Sequence, residues 1–378
     1  MAYYAGLDVS KKLTSICVID DQKKIIYESS VKSCPDQIAK ELLSFREQLE
    51  IIGLEAGASC FWLSEGIRDH GLPVHVIDSR RVADVLSTMN NKTDRNDARG
   101  IADIMRAGFY TPVHDRSAQS IELSTVLRAR AALVEDRTAL KNRIRGFLKS
   151  YGLKFNCPGL GSFLKAVEKE LPGISQSVQV AIRVTMQNLE RVDQSITEIE
   201  EALDTLIEED KRIDLIKTIP GVGNITAAAF IAAIDDPERF RKRPWDVGAY
   251  LGLTPKQYSS GETQRQGRIS KAGPKYVRSL LYEAAISMLT RSQTHSWLKA
   301  WGLKLSGKKG LKKAAVAVAR RLAVIMIHML LSGEVFRYSR FPKDEAADKK
   351  KTQAKKRTKR KAFSSKQQGA ILADASSA

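Results

Sequence analysis

Four acidic side chains among residues 1–110 have the type and setting to hold a hard cation. They are Asp8 in GLDVSKK, Glu55 in IIGLEAG, and Asp94 and Asp97 in KTDRNDARG. A carboxylate that closes an apolar strand points into the crevice above the sheet, where open α/β sheets bind ligands. Asp94 and Asp97 are three residues apart, so on a helix they share a face. Converging carboxylates repel one another and call for a cation. Oxygen-only ligands suit Mg²⁺, with Mn²⁺ as a substitute. Two such ions, about 3.5–4 Å apart, would clamp a phosphodiester and activate an attacking group. The same residues also fit a plainer reading. Asp8 could cap a turn, Glu55 could be a solvated loop residue, and Asp94 and Asp97 could be first-turn acids at a helix N-terminus.

A second cluster lies in KQYSSGETQRQGRISKAGPKYVR. Ser259, Ser260 and Gly261 precede Arg265, Arg268, Lys271, Lys275 and Arg278. A serine hydroxyl there could be held at a scissile phosphate, with Arg or Lys stabilising the developing charge. Serine needs activation, and no histidine is near in sequence. A flexible phosphate-binding loop accounts for the same residues. Upstream, IKTIPGVGNITAAAFIAAI has the form of a helix-hairpin-helix. Gly221 and Gly223 would let backbone amides approach a phosphate beside a helix N-terminus. Such a contact grips a backbone without reading bases. A tight turn between packed helices is the alternative.

Composition narrows the partners. The chain has 378 residues, with 62 Lys and Arg against 43 Asp and Glu, a formal net charge of +19. That balance favours a polyanion, and nucleic acid fits better than a membrane surface. Cys17, Cys34, Cys60 and Cys157 form no C-x-x-C pair, which argues against a zinc cluster or disulfide scaffold and fits a reducing, intracellular setting. The opening MAYYAGLDVSKK reads as a strand rather than a leader. No stretch is expected to span a membrane. AAVAVARRLAVIMIHMLL is interrupted by Arg320 and Arg321 and reads as a buried helix. Those two arginines could reach phosphate or merely snorkel. His70, His75, His114, His295 and His328 lack metal-ligand spacing, and Trp245, Trp297 and Trp301 read as packing residues of the second domain.

The elements that must position these residues follow from periodicity. YYAGLDV, LTSICVI and IIYESSV are β-rich, and DDQKK makes a hairpin of the last two. A helix over 36–49, the strand IIGLE, the helix FWLSEGIRDH, the strand LPVHVID and a helix opening near Thr93 or Asp94 complete a mixed sheet with helices on its faces. Residues 1–112 form this domain. Residues 113–211 are a long helical spacer with a loop-rich insertion near 151–174. Its two helical runs read as an antiparallel pair or as arms for self-association. Residues 212–340 form a second, mainly helical domain with the helix-hairpin-helix and a serine loop. Residues 341–378 read as a disordered basic tail suited to phosphate contacts.

GLDVSKK, LEAG and KTDRNDARGIADIMRAG resemble the RNase H-like, RuvC-type domain of the DEDD transposases of bacterial insertion sequences. IPGVG, YLGLTP, SSG, GRISKAG and VRSLLYEAA resemble the second domain of the same family. Together they cover most of residues 1–330. The resemblance implies an α/β RNase H-like N-terminal domain joined by long helices to a mainly α-helical C-terminal domain. It implies divalent metal on Asp8, Glu55, Asp94 and Asp97, and a serine nucleophile that matches Ser260, with Ser259 adjacent. Pro274 stands where the family often has Asn. The implied activity is excision and integration of an insertion element through a covalent serine–DNA intermediate. The implied partners are donor and target DNA, an element-encoded guide RNA, and further copies of the chain in a dimer or tetramer, with acid and serine sites from one subunit or two. The setting would be the bacterial cytoplasm, at the nucleoid when active. The rival readings are a junction-resolving metal nuclease, a non-enzymatic nucleic-acid-binding protein and an actin-like sugar kinase. The last lacks downstream glycine-rich phosphate loops.

Overall fold

The computed structural model describes residues 1–87, 93–260 and 263–339. The expected basic tail and Gly261 lie outside the described residues. The chain divides into two compact units, Met1–Ser117 and Ala118 onward.

In the first unit the elements run β1 (Tyr3–Val9), β2 (Leu13–Asp20), β3 (Ile25–Lys32), α1 (Pro35–Leu42), β4 (Leu49–Glu55), α2 (Cys60–Asp69), β5 (Val74–Ile77), α3 (Ser79–Leu86) and α4 (Asp94–Ala107). The sheet order is β3-β2-β1-β4-β5. β1, β2 and β3 are antiparallel neighbours, whereas β4 and β5 run parallel to β1. This is the RNase H-like topology. The β1–β3 meander needs only short turns, while the parallel strands need helical crossovers. The helix expected over 36–49 ends at Leu42, followed by a 3₁₀ turn, because the chain must be extended again from Leu49.

One face of the sheet buries Leu7, Ile16, Val18, Ile52 and Leu54 against Ile38 and Leu42 of α1 and Leu63 and Ile67 of α2. The other face is covered by α4. Its start is set by Thr93, whose hydroxyl accepts from the Asn96 amide at 3.2 Å. Its end is set by Gly108, at φ 69°, a left-handed cap that glycine adopts without steric cost.

The second unit is mostly helical. α5 (Ala118–Lys149) and α7 (Gln176–Ile207) pair antiparallel, with Arg130 Nε donating to Glu200 at 2.7 Å and Arg137 to Asp193 at 2.7 Å. Between them α6 (Leu160–Glu170) buries Phe163 and Val167, so the stretch expected to be loop-rich contains a helix. Then come α8 (Lys211–Lys217), α9 (Asn224–Ile234), α10 (Val247–Tyr250), β6 (Pro255–Ser260), β7 (Thr263–Ile269), α11 (Lys275–Thr290), α12 (Trp297–Lys309) and α13 (Leu311–Ser332).

α13 is long and apolar enough to cross a membrane by length and composition, which the sequence reading did not expect of any segment. Its Val318, Leu322 and Met326 are instead buried in the core of this unit. Arg321 lies 5.2 Å from the ring centres of both Trp297 and Trp301, a cation–π contact that occupies the guanidinium. Arg320 packs its stem beside Gly248. Trp245, expected to pack, is 56% exposed.

Candidate active site

Asp8 follows Leu7, whose parallel partner on β4 is Leu54, and Glu55 follows Leu54. The two carboxylates therefore close neighbouring strands. Pleating decides which way they face, because residues two apart share a side of the sheet. Gly6 and Gly53 lie under α4. A Cβ on Gly6 would stand 2.2 Å from the Ala98 carbonyl oxygen, and one on Gly53 would stand 2.5 Å from Met105 Cγ. Asp8 and Glu55, two residues further on, belong to that same face.

α4 runs against β1. Its early residue Ala98 lies over Gly6, while Asp103 near its end pairs with Lys23, beside the Asp20 that partners Tyr3. The first turn of α4 thus reaches toward the end of the sheet where Asp8 and Glu55 stand. Asp94 and Asp97 are one turn ahead of the buried, sheet-facing Ala98 and Ile101, so they continue that stripe. Because Thr93 caps the helix, Asp94 is not needed for capping. Asp94 is exposed, and Asp97, Asp8 and Glu55 are half-buried.

Register adds residues that the sequence reading did not single out. Asp8 partners Ser15, and Ser15 partners Ser30, so a polar row crosses three strands on this face. One row back, Gly6, Cys17 and Glu28 lie side by side. Arg99 donates to both oxygens of Glu28, at 2.5 and 2.9 Å. Arg99 draws the Glu28 carboxyl below its ordinary range. Burial, reinforced by Glu28, pushes the Cys17 thiol up to about 12, which makes it inert.

The donor set is all carboxylate and hydroxyl oxygen, which fits a hard divalent ion better than zinc. Among the described residues, no three His, Cys, Asp or Glu side chains form a closed ligand cage. Asp8 and Glu55 share a face and an end of the sheet, and Asp94 and Asp97 open the helix that covers that face. The five histidines make no such group; His70 pairs with Asp36 at 2.9 Å.

In the second unit the serine stretch is a β-hairpin, where the sequence reading expected a loop. Ser259 partners Gln264 and Ser260 partners Thr263, which puts Ser260 at the end of β6. The base of the hairpin is fixed by two interlocked turns. A Cβ on Gly252 would meet the Ala272 carbonyl oxygen at 2.1 Å, and one on Gly273 would meet that of Tyr250 at 2.0 Å. Arg278 donates to the carbonyls of Leu251 and Ala272 at 3.0 and 3.1 Å, so its guanidinium braces this joint. Arg265, Arg268, Lys271 and Lys275 are exposed.

The expected helix-hairpin-helix is α8, the turn at 218–223, and α9. Its two glycines differ. A Cβ on Gly221 would approach the Ala284 carbonyl oxygen to 2.8 Å, so this glycine lets the turn pack on α11. Gly223 precedes α9 and has nothing within 4 Å of its Cβ position, leaving room for a ligand.

A DEDD transposase family model matches residues 5–153, and the model of the transposase IS116/IS110/IS902 family matches residues 213–301. The transposase for insertion sequence element IS1111A of Coxiella burnetii is 30% identical over 345 residues, spanning 88% of this chain and 90% of that protein. The chain belongs to the IS116/IS110/IS902 transposase family. A probable family 20 transposase of Pseudomonas aeruginosa is 26% identical across 86% of this transposase and 96% of its own length. Among solved structures, Thermus thermophilus RuvC in complex with a Holliday junction substrate aligns with 30% of this chain and 100% of its own, at 14% identity and a TM-score of 0.25. As a transposase of this family, the chain acts on DNA.

Proposed function

We propose that this transposase excises and inserts its element by cutting and rejoining DNA through a transient serine–DNA ester, with divalent metal on its acidic unit and an element-encoded RNA as guide. The metal part is supported by the elements that carry the four acids. Asp8 and Glu55 close adjacent strands, and Asp94 and Asp97 lie on the first turn of the helix that covers the same face. These four residues would hold Mg²⁺, or Mn²⁺ in its place. The bound cation supplies charge neutralisation and polarisation of a phosphodiester.

Ser260 is the nucleophile of this proposal. Its Oγ forms a bond to phosphorus as the bond from phosphorus to a DNA oxygen breaks. The Oγ proton leaves to a base, and the departing oxygen takes up a proton. A hydroxyl of the second strand then attacks the phosphoserine and restores the serine. One phosphodiester replaces another, so no ATP is consumed. Exposed Arg265, Arg268, Lys271 and Lys275 supply positive charge around the hairpin, and the open Gly223 turn offers backbone amides to a phosphate. A net charge of +19 suits a protein that holds donor DNA, target DNA and RNA together, acting as a dimer or tetramer.

The test is to trap covalent protein–DNA and map the modified peptide by mass. The DNA is expected on the peptide containing Ser260, and Ser260→Ala, folded like the parent, should form none while Ser259→Ala still does. Undiminished cleavage and rejoining by Ser260→Ala would favour a metal-dependent nuclease instead.

A further inference from the structure

A basic cavity opens between α5 and the start of α6, lined by Arg137, Thr138, Lys141, Asn142, Arg145 and Leu160 among others, with a volume of about 290 Å³. Arg137, Lys141 and Arg145 are spaced four residues apart, so they stack along one face of α5. Their charge is only partly compensated. Arg137 pairs with Asp193 at 2.7 Å. Lys141 Nζ donates to the Pro158 carbonyl at 3.1 Å, a neutral partner. Arg145 donates through one terminal nitrogen to Asn142 at 3.2 Å, and its Nε is buried with no partner among the described residues. The Arg145 guanidinium thus carries its charge with no carboxylate partner among the described residues, so an anion in the cavity would be drawn to it.

Two further features point to an anion. α6 begins here, and its cap residue Gly159 provides no side chain to its first amides. The positive end of the helix therefore adds to the three cations. Burial, then the neighbouring Arg145, draws the Lys141 ammonium below its ordinary range, as expected of an ammonium crowded by a second cation. The ring centre of the buried Phe163 lies 5.0 Å from Lys141 Nζ and 5.2 Å from the Arg145 guanidinium, which holds both cations beside α6. Forked guanidinium donors and helix amides match the tetrahedral oxygens of a phosphate.

We propose that this cavity binds a phosphodiester group of the nucleic-acid strand held by the transposase. The inference rests on the family assignment and this geometry, and it needs neither the metal nor the serine reading. The site fixes a strand on the helical arm without reading its sequence.

The test compares the full chain with the double variant Lys141→Gln/Arg145→Gln, after thermal melting shows both folded. Binding to labelled duplex DNA and to single-stranded RNA is followed as salt is raised. The double variant should bind more weakly, with the slope of log affinity against log salt shallower by about 1 on at least one probe. Lys141→Arg should keep the parental slope, and so should Lys165→Gln on the exposed side of α6. If the double variant does not fold, Arg145→Gln alone is read by the same slope. Unchanged slopes on both probes overturn the proposal. Inorganic phosphate raising the melting temperature of the parent only, with strand slopes unchanged, would assign the cavity to free phosphate and also overturn it.

Discussion

Arg99 grips Glu28 through two nitrogens, at 2.5 and 2.9 Å, tying the middle of α4 to β3 across the sheet. The clamp lies just behind the turn that carries Asp94 and Asp97. Glu28→Gln removes the charge but keeps the shape. Arg99 is 39% exposed, so solvent screens the pair and the expected loss is about 1 kcal/mol in chemical denaturation. The pH dependence follows from the lowered Glu28 carboxyl. Stability from a depressed carboxyl is fully present above the ordinary value, about 4.3, and is lost as pH falls through the folded value. The gap between the parent and Glu28→Gln should therefore be widest above pH about 4.3 and close in stronger acid. A gap that widens in acid would reject this account of the clamp.

Gly6 is where α4 comes nearest to the sheet. A Cβ there would lie 2.2 Å from the Ala98 oxygen and 2.4 Å from the Ala102 nitrogen, both backbone atoms. The helix cannot yield locally, so Gly6→Ala should lift α4 as a body. Overpacking of this kind costs about 3 kcal/mol, read as a shift of the denaturation midpoint. Gly223→Ala, with open space at its Cβ, should cost far less. Equal losses in the two variants would contradict the packing described.

Arg278 and Arg268 look alike in sequence and differ in use. Arg278 braces the carbonyls of Leu251 and Ala272, whereas Arg268 is exposed on β7. Arg278→Gln should speed amide exchange in the turns at 251–254 and 270–273 and lower stability by about 1 kcal/mol. Arg268→Gln should leave exchange alone and make DNA binding less salt-dependent, the slope falling by about 1. The reverse pattern would show that Arg278 is the phosphate contact.

Much of this is legible in the residues. The strand–strand–strand–helix order of the first unit follows from short β-branched runs and polar turns, and the KTDRND segment has a recognisable cap. The sequence suggests Asp8 and Glu55 only as neighbours. Their common face becomes visible through Gly6 and Gly53, because glycine carries no hydrophobic mark. The hairpin β6–β7 escapes a sequence reading because KQYSSGETQRQ has no apolar alternation to set against a loop. α6 is hidden by Pro158, Gly159, Gly161, Pro172 and Gly173, which punctuate a stretch whose Phe163 and Val167 nevertheless keep helical spacing. Arg278 reads as a phosphate ligand because sequence cannot distinguish a guanidinium spent on carbonyls from one left in solvent.

The central claim is that Asp8, Glu55, Asp94 and Asp97 jointly hold divalent cations. Titration of Mn²⁺ into the full chain, with free ion counted by electron paramagnetic resonance, tests it without requiring the reaction. The account predicts saturable binding by the parent that weakens at least about tenfold, roughly 1.4 kcal/mol, in each of Asp8→Asn, Glu55→Gln, Asp94→Asn and Asp97→Asn. Parental affinity in all four folded variants, or no saturable binding by the parent, would contradict it.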